Sequence, residues 1–257
     1  MIRFEKSDSG VMMITLNRPE KFNSFIRDMA LEFQSLLDNA EADEEVRVVL
    51  ITGAGKAFCA GQDLAEASDP KGPGINKIVS EHYNPIIMRI RNLPKPVVAA
   101  VNGVAAGAGA NIALACDVVV AGESASFIQA FSKIGLIPDS GGTWFLPRIV
   151  GFQKASALMF LGDKISAVEA ERIGMIYKVV EDQHLPDEAL KICKILAKMP
   201  TRAFALTKQA LNLSYMNPLA EQLKLEDKLQ SEAGKTEDYQ EGVNAFLEKR
   251  KPIFKGR

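Results

Sequence analysis

One segment limits the fold more than any other. Val46–Thr52 (VRVVLIT) is a near-continuous apolar run, short and rich in β-branched residues. A strand of this kind is buried on both faces, so its sheet needs cover on both sides, as in parallel α/β architectures. Val97–Val101 and Asp117–Ala121 read as further strands. Val11–Leu16 reads as an earlier one, stopped by Asn17-Arg18-Pro19. Helical spacing fills the intervals. Asn23 or Ser24 is placed to cap a helix reaching about Asn39, with Met29, Leu31, Phe33, Leu36 and Leu37 at helical intervals. A second helix is expected from about Ile75 to Asn92, ahead of Pro94-Lys95-Pro96. Between these two, Ala67–Gly74 (ASDPKGPG) is the one Pro/Gly-rich stretch and reads as a mobile loop.

From Gly151 onward the pattern predicts helices only, near 154–161, 167–173, 187–198, 203–214, 219–233 and 239–249. The fold class is therefore α/β, a parallel-type sheet followed by a helical C-terminal part.

Charge and composition exclude several functions. The 257 residues carry 31 Lys+Arg and 32 Asp+Glu, a formal net charge of −1. Non-specific nucleic-acid binding depends on a basic excess that this chain lacks. The opening MIRFEKSDSG places charge where a signal peptide needs an apolar core. The longest apolar region, Val97–Val120, is broken by Asn102, several glycines and Asp117, so no membrane span is expected. These features predict a cytoplasmic protein. Cys59, Cys116 and Cys193 cannot make a closed disulfide framework and match no zinc spacing, and Cys59 reads as a small buried thiol. His82 and His184 stand in charged segments expected to be exposed helices, which argues against a His-based triad or a metal site.

Sites in α/β folds form where strands run into Gly-rich turns. Three such places occur: Ala60-Gly61-Gln62-Asp63, Gly107-Ala108-Gly109, and Pro138-Asp139-Ser140-Gly141-Gly142. Small residues at a helix start leave backbone N–H groups free and approachable, and two that converge on one oxygen make an oxyanion hole. Glycines at a single turn equally serve tight turns and close packing. Asp139, taken alone, reads as an N-cap of the helix that follows. The GAGAG run is not a dinucleotide fingerprint, because its spacing is wrong.

Taken together and in order, the motifs resemble the enoyl-CoA hydratase/isomerase (crotonase) superfamily. The matching pieces are Leu16-Asn-Arg-Pro19 with Asn23, Phe58–Asp63, Lys95–Gly103, Gly107-Ala-Gly109, Ala115-Cys-Asp117 and Gly135–Thr143. The resemblance implies a crotonase-like spiral of β-β-α units over residues 1–200 and a C-terminal helical trimerisation part over 201–257. It implies a homo-trimer or a dimer of trimers acting on an acyl-CoA thioester, with no cofactor beyond the CoA of the substrate and no metal. It places the oxyanion-hole N–H groups on Gln62 and Ala108. Lys21 and the backbone of Ala60 and Leu64 are candidates for CoA binding, with Lys249, Arg250 and Lys251 as further cationic candidates.

One departure from the family pattern decides the expected chemistry. Hydratases of the family carry two glutamates that activate water, and the matching positions here are Asn111 and Phe131. Neither can transfer a proton as a carboxylate does. Asp139 instead stands where hydratases have glycine. The stretch Phe131–Arg148 is similar to the branch of the superfamily that rearranges the ring 1,2-epoxide of phenylacetyl-CoA to a seven-membered oxepin and shifts double bonds in unsaturated acyl-CoAs. A dehalogenase with an acid at this place would need a His and a Trp before it, and neither stands in the expected stretch, since Trp144 lies after Asp139. The expectation is an isomerase in which Asp139, its pKa raised by desolvation, moves a proton along one face of an enolate. Phe131, Ile134 and Trp144 would exclude water, and Asn111 would either orient substrate or satisfy nearby backbone. The alternatives are a hydratase working through Asp139 alone and a non-catalytic assembly subunit.

Overall fold

The computed structural model describes residues 1–257. Ten strands form two sheets. They are β1 (Ile2–Lys6), β2 (Val11–Leu16), β3 (Val48–Gly53), β4 (Ala57–Cys59), β5 (Val97–Val101), β6 (Val104–Ala106), β7 (Val118–Gly122), β8 (Ser126–Ile128), β9 (Lys164–Ser166) and β10 (Lys178–Val180). The larger sheet has the order β1-β2-β3-β5-β7-β10, and only the β1–β2 pair is antiparallel. The smaller sheet has the order β4-β6-β8-β9, with β8–β9 antiparallel. Each of the pairs β3/β4, β5/β6 and β7/β8 gives one strand to each sheet before the chain turns into helix. That is the β-β-α spiral the resemblance implies.

The first helices are α1 (Arg27–Ala42), α2 (Leu64–Ser68), α3 (Gly74–Lys77), a π-helical stretch at Ile78–Tyr83, α4 (Asn84–Asn92) and α5 (Ala108–Ala115). They are followed by α6 (Gly142–Val150), α7 (Phe152–Leu161), α8 (Ala167–Arg172), α9 (Leu185–Ala197), α10 (Thr201–Ser214), α11 (Leu219–Ala233) and α12 (Glu237–Leu247).

The apolar run of β3 is buried on both faces because two separate cores use its alternate residues. Val49 and Ile51 face the main core with Met29, Phe33 and Leu37 of α1. Val48 and Leu50 face the other side, against Leu185, Ala189, Cys193 and Ala197 of α9. β5 divides in the same way, with Val97 and Ala99 in the main core and Val98 and Ala100 beneath α9. Leu31 of α1 faces solvent, one residue off the buried stripe.

Several expectations are corrected. The C-terminal half is not helices only, since β9 and β10 add an edge strand to each sheet. Each has three residues, KIS and KVV, too short for a periodic signal. Neither Asn23 nor Ser24 caps α1. The helix begins three residues later with Ile26 as its N-cap, and Asn23 serves the loop instead: its Nδ2 donates to the carbonyls of Ala54 and Ala57, and its Oδ1 accepts from Arg18 N. His82 is not exposed. It lies wholly buried in the π-helical stretch, whereas His184 is exposed as expected. All three cysteines are free and buried, and burial pushes the Cys59 thiol up to about 12. No helix is long and apolar enough to cross a membrane.

Candidate active site

Helix α5 sets the geometry of the site. All eight of its residues are buried, and it rests directly on β4. A Cβ on Gly109 would lie 2.2 Å from the Cys59 carbonyl oxygen, so only glycine permits this approach. The contact brings the start of α5 beside the loop after β4. A Cβ on Gly61, whose φ is +87°, would stand 3.3 Å from Ala108 N. The first N–H of a helix has no partner within the helix, and Ala108 N has none elsewhere in the chain. Gln62 N is also free of any protein acceptor, although the groups on either side of it are held: Phe25 N donates to Gly61 O at 2.7 Å and Asp63 N donates to Phe25 O at 2.8 Å. Two unspent N–H groups thus belong to residues that line one cavity of about 470 Å³.

The same cavity is lined by Asp139, Phe131, Ile134, Lys21, Ala60 and Leu64. Seven of the eight positions expected from the sequence therefore meet at one place: Gln62, Ala108, Asp139, Phe131, Lys21, Ala60 and Leu64. The eighth, Asn111, does not reach the cavity. It is wholly buried beneath it, where its Nδ2 donates to the Asp139 carbonyl at 2.8 Å and its Oδ1 accepts from Gln129 Nε2 at 2.7 Å. Asn111 satisfies backbone and fixes the turn that carries Asp139.

That turn is strained. Ser140 has φ +52° without being glycine, and Gly141, at φ +73°, is the N-cap of α6. Asp139 is therefore not the cap that its sequence position suggested. Its carboxylate accepts one hydrogen bond, from Ser140 Oγ at 2.8 Å, and has no cationic partner. Desolvation raises its pKa above the ordinary carboxylate value, and the Ser140 hydrogen bond pulls the other way. The other acids lining the cavity differ. Asp63 is paired with Arg18 at 2.9 Å and caps α2, and its carboxyl is held low; Glu20 is exposed.

Phe131 is buried, with its ring against Gly107, whose Cβ position lies 3.7 Å from Phe131 Cζ. Trp144 does not join it. It lines a separate cavity of about 400 Å³ with Tyr215 and Arg148, whose guanidinium stacks 4.4 Å from the indole centroid. The expected role of Trp144 in excluding water falls away, since α6 turns the residue toward α10. Lys249, Arg250 and Lys251 do not line the site cavity, and Arg250 is engaged by Glu241 and Glu248. Ala67 lines the cavity at one end of the expected loop and Ile75 just beyond the other. No three His, Cys, Asp or Glu side chains converge in a metal-binding arrangement.

Sequence reasoning missed three supporting residues. Tyr83 Oη donates to Gln62 Oε1, Glu66 accepts from Gln62 Nε2, and Gln129 braces Asn111. Glu66 stands four residues after Gln62 on the helix that Asp63 caps, a spacing that could have shown it. The other two come from distant elements and leave no local signal.

On a spiral of β-β-α units, a free N–H at the start of α5, a second in the loop beside it and one desolvated acid line a single cavity. The enoyl-CoA hydratase/isomerase family model matches residues 6–257, and the chain belongs to that family. It is 50% identical over 253 residues to the 1,2-epoxyphenylacetyl-CoA isomerase of Escherichia coli strain K12, covering 97% of each chain. It is 46% identical over 256 residues to a protein of Rhodobacter capsulatus described as "Probable enoyl-CoA hydratase", covering 100% of this chain and 98% of that one. Among solved structures, an enoyl-CoA hydratase from Bacillus anthracis superposes with a TM-score of 0.93 at 35% identity, covering 100% of this chain and 99% of the other.

Proposed function

We propose that the protein is an acyl-CoA isomerase that holds its thioester oxygen between the N–H groups of Gln62 and Ala108 and moves a proton with Asp139. The observation that carries this reading is the cavity shared by two unspent N–H donors and a single desolvated carboxylate without a counter-ion. Preorganised donors stabilise the enolate oxygen, which lowers the cost of removing a proton next to the carbonyl. Asp139, its pKa raised, takes that proton and returns it to another carbon. Hydration calls for a second acid–base group to activate water. At the two positions where hydratases of the family carry it, this chain has an amide spent on backbone and a phenyl ring.

The substrate we favour is the ring 1,2-epoxide of phenylacetyl-CoA, rearranged to the oxepin, with 3-enoyl to 2-enoyl-CoA shifts as a second activity. Support comes from the name of the 50%-identical Escherichia coli relative. Lys21 is suited to the CoA phosphates, and Ala60 and Leu64 to the CoA moiety beside it. The reaction as proposed needs no cofactor besides the CoA of the substrate. We further propose that 201–257 is the trimerisation region of a cytoplasmic homo-trimer or dimer of trimers. The exposed Leu219, Phe246 and Leu247 of α11 and α12 support it.

The test is incubation in deuterated water with a 3-enoyl-CoA, a 2-enoyl-CoA and the ring epoxide. Double-bond migration with deuterium incorporation and oxepin formation, without a hydroxyacyl product, is expected. Rapid hydration of the 2-enoyl-CoA, with no migration, would overturn the reading.

A further inference from the structure

The side chain of Gln62, the residue whose N–H is free, is held at both ends of its amide. Its Oε1 accepts from Tyr83 Oη at 3.1 Å, and its Nε2 donates to Glu66 Oε2 at 2.7 Å. Glu66 in turn accepts from the backbone N–H of Arg27, at the start of α1, at 2.9 Å. Tyr83 is fully buried and ends the π-helical stretch Ile78–Tyr83. Earlier residues of that stretch, Ile78 and Val79, line the active-site cavity. π-helical insertions concentrate at functional sites, and here the extra residue per turn brings the cavity wall and the Tyr83 hydroxyl onto one short segment.

From this geometry we infer that Tyr83, with Glu66, is a positioning residue that aims the Gln62 N–H at the substrate carbonyl. The backbone flanking Gln62 is held by Phe25, and the side chain is the remaining lever on the peptide's orientation. Fixing it from α1 and from the π-helical stretch holds the donor before substrate arrives, the condition under which such donors are effective. Both ends of the amide are thus held by protein groups. The inference rests on the thioester reading above.

The test reads the carbonyl directly. The probe is phenylacetyl-CoA labelled with ¹³C at the thioester carbon, which lacks both epoxide and double bond. In the wild-type protein its infrared C=O stretch is expected below that of the free thioester. Tyr83→Phe, which removes only the hydroxyl, should return the stretch part of the way to the free value. It should lower kcat roughly five- to tenfold, the scale of one hydrogen bond, with KM little changed. Glu66→Gln should act in the same direction and serves if Tyr83→Phe folds poorly. In a Gln62→Ala background, which keeps the peptide N–H, Tyr83→Phe should add nothing. A wild-type stretch and kcat in both Tyr83→Phe and Glu66→Gln would overturn the inference, as would an undiminished Tyr83→Phe effect in the Gln62→Ala background. A wild-type complex whose stretch matches the free thioester would instead remove the oxyanion-hole reading itself.

Discussion

Asp139→Asn separates chemistry from structure in one substitution. The amide has the shape of the carboxylate and can still accept from Ser140 Oγ, while the bond from Asn111 goes to the main-chain carbonyl and is untouched. The cavity keeps its form, so a non-reacting acyl-CoA should bind with little change. The proton shuttle is lost. A positioned general acid–base contributes about 100- to 10,000-fold, or about 3–5 kcal/mol of barrier, and kcat should fall by that factor. Stability should move the other way. A carboxyl whose folded-state pKa is raised binds its proton more tightly folded than unfolded. Its ionisation therefore costs stability as pH rises through the unfolded value, and the cost persists above the folded one. Asp139→Asn should raise Tm at neutral pH, and the gain should vanish as the pH falls below the ordinary aspartate range. The assays are oxepin formation and double-bond migration, calorimetric binding of phenylacetyl-CoA, and Tm at pH 7 and at about pH 3, below the ordinary aspartate value. Full turnover would refute the mechanism. A lower Tm at pH 7 with binding also lost would show that Asp139 supports the fold instead.

Other predictions follow from single contacts. The acid limb of kcat/KM against pH should lie above the ordinary carboxylate value, since Asp139 must be ionised to act and desolvation raises its pKa; Ser140→Ala, which deletes the hydrogen bond that opposes this shift, should move the limb further up. Asn111→Ala should destabilise the fold by about 1–3 kcal/mol in chemical denaturation, because it strands the Gln129 amide and one lone pair of the Asp139 carbonyl in a buried place. It should also lower kcat, since the turn bearing Asp139 is released. Lys21→Glu should raise KM for CoA esters several-fold, more at low salt than at high, with little effect on a pantetheine thioester that lacks the nucleotide phosphates.

How much of this was legible in the chain depended on how far each signal reached. The strands β2, β3, β5 and β7 could be read because their apolar residues are nearly consecutive and mostly buried. Strands of three residues, β4, β6, β8, β9 and β10, carry too few positions for any period to register. β1 was hidden for another reason: of Ile2–Lys6 only Ile2 is buried, so no alternation marks it. The site was legible as a set of motifs, since turns rich in glycine persist as local patterns. Its supporting bonds were not. Tyr83 reaches Gln62 across 21 positions and Asn111 reaches the Asp139 carbonyl across 28, distances over which one sequence carries no spacing rule. His82 failed for a related reason, because charged neighbours on a helix describe the exposed face and say nothing of the residue turned inward.

The acid at position 139 and the amide at position 111 belong to one arrangement. Asn111 is fully buried, and the start of α6 presses on it: a Cβ on Gly142 would lie 2.4 Å from Asn111 Nδ2. At that place the side chain must donate to the Asp139 carbonyl and accept from Gln129 at once. An amide does both. An ionised carboxylate can only accept, so it would set its charge against a carbonyl oxygen, in a buried place and close to a second acid. The like charge and the desolvation would push at least one of the two acids toward its neutral form, and a residue 111 that kept its proton to donate to the carbonyl could not serve as a base. A glutamate pair of the hydratase type therefore cannot be restored by exchanging residue 111 alone, because the turn that holds Asp139 is built on a donor there. In the mechanism we propose, the preference for moving one proton over adding water is set by how this turn is held, as well as by which side chains face the cavity.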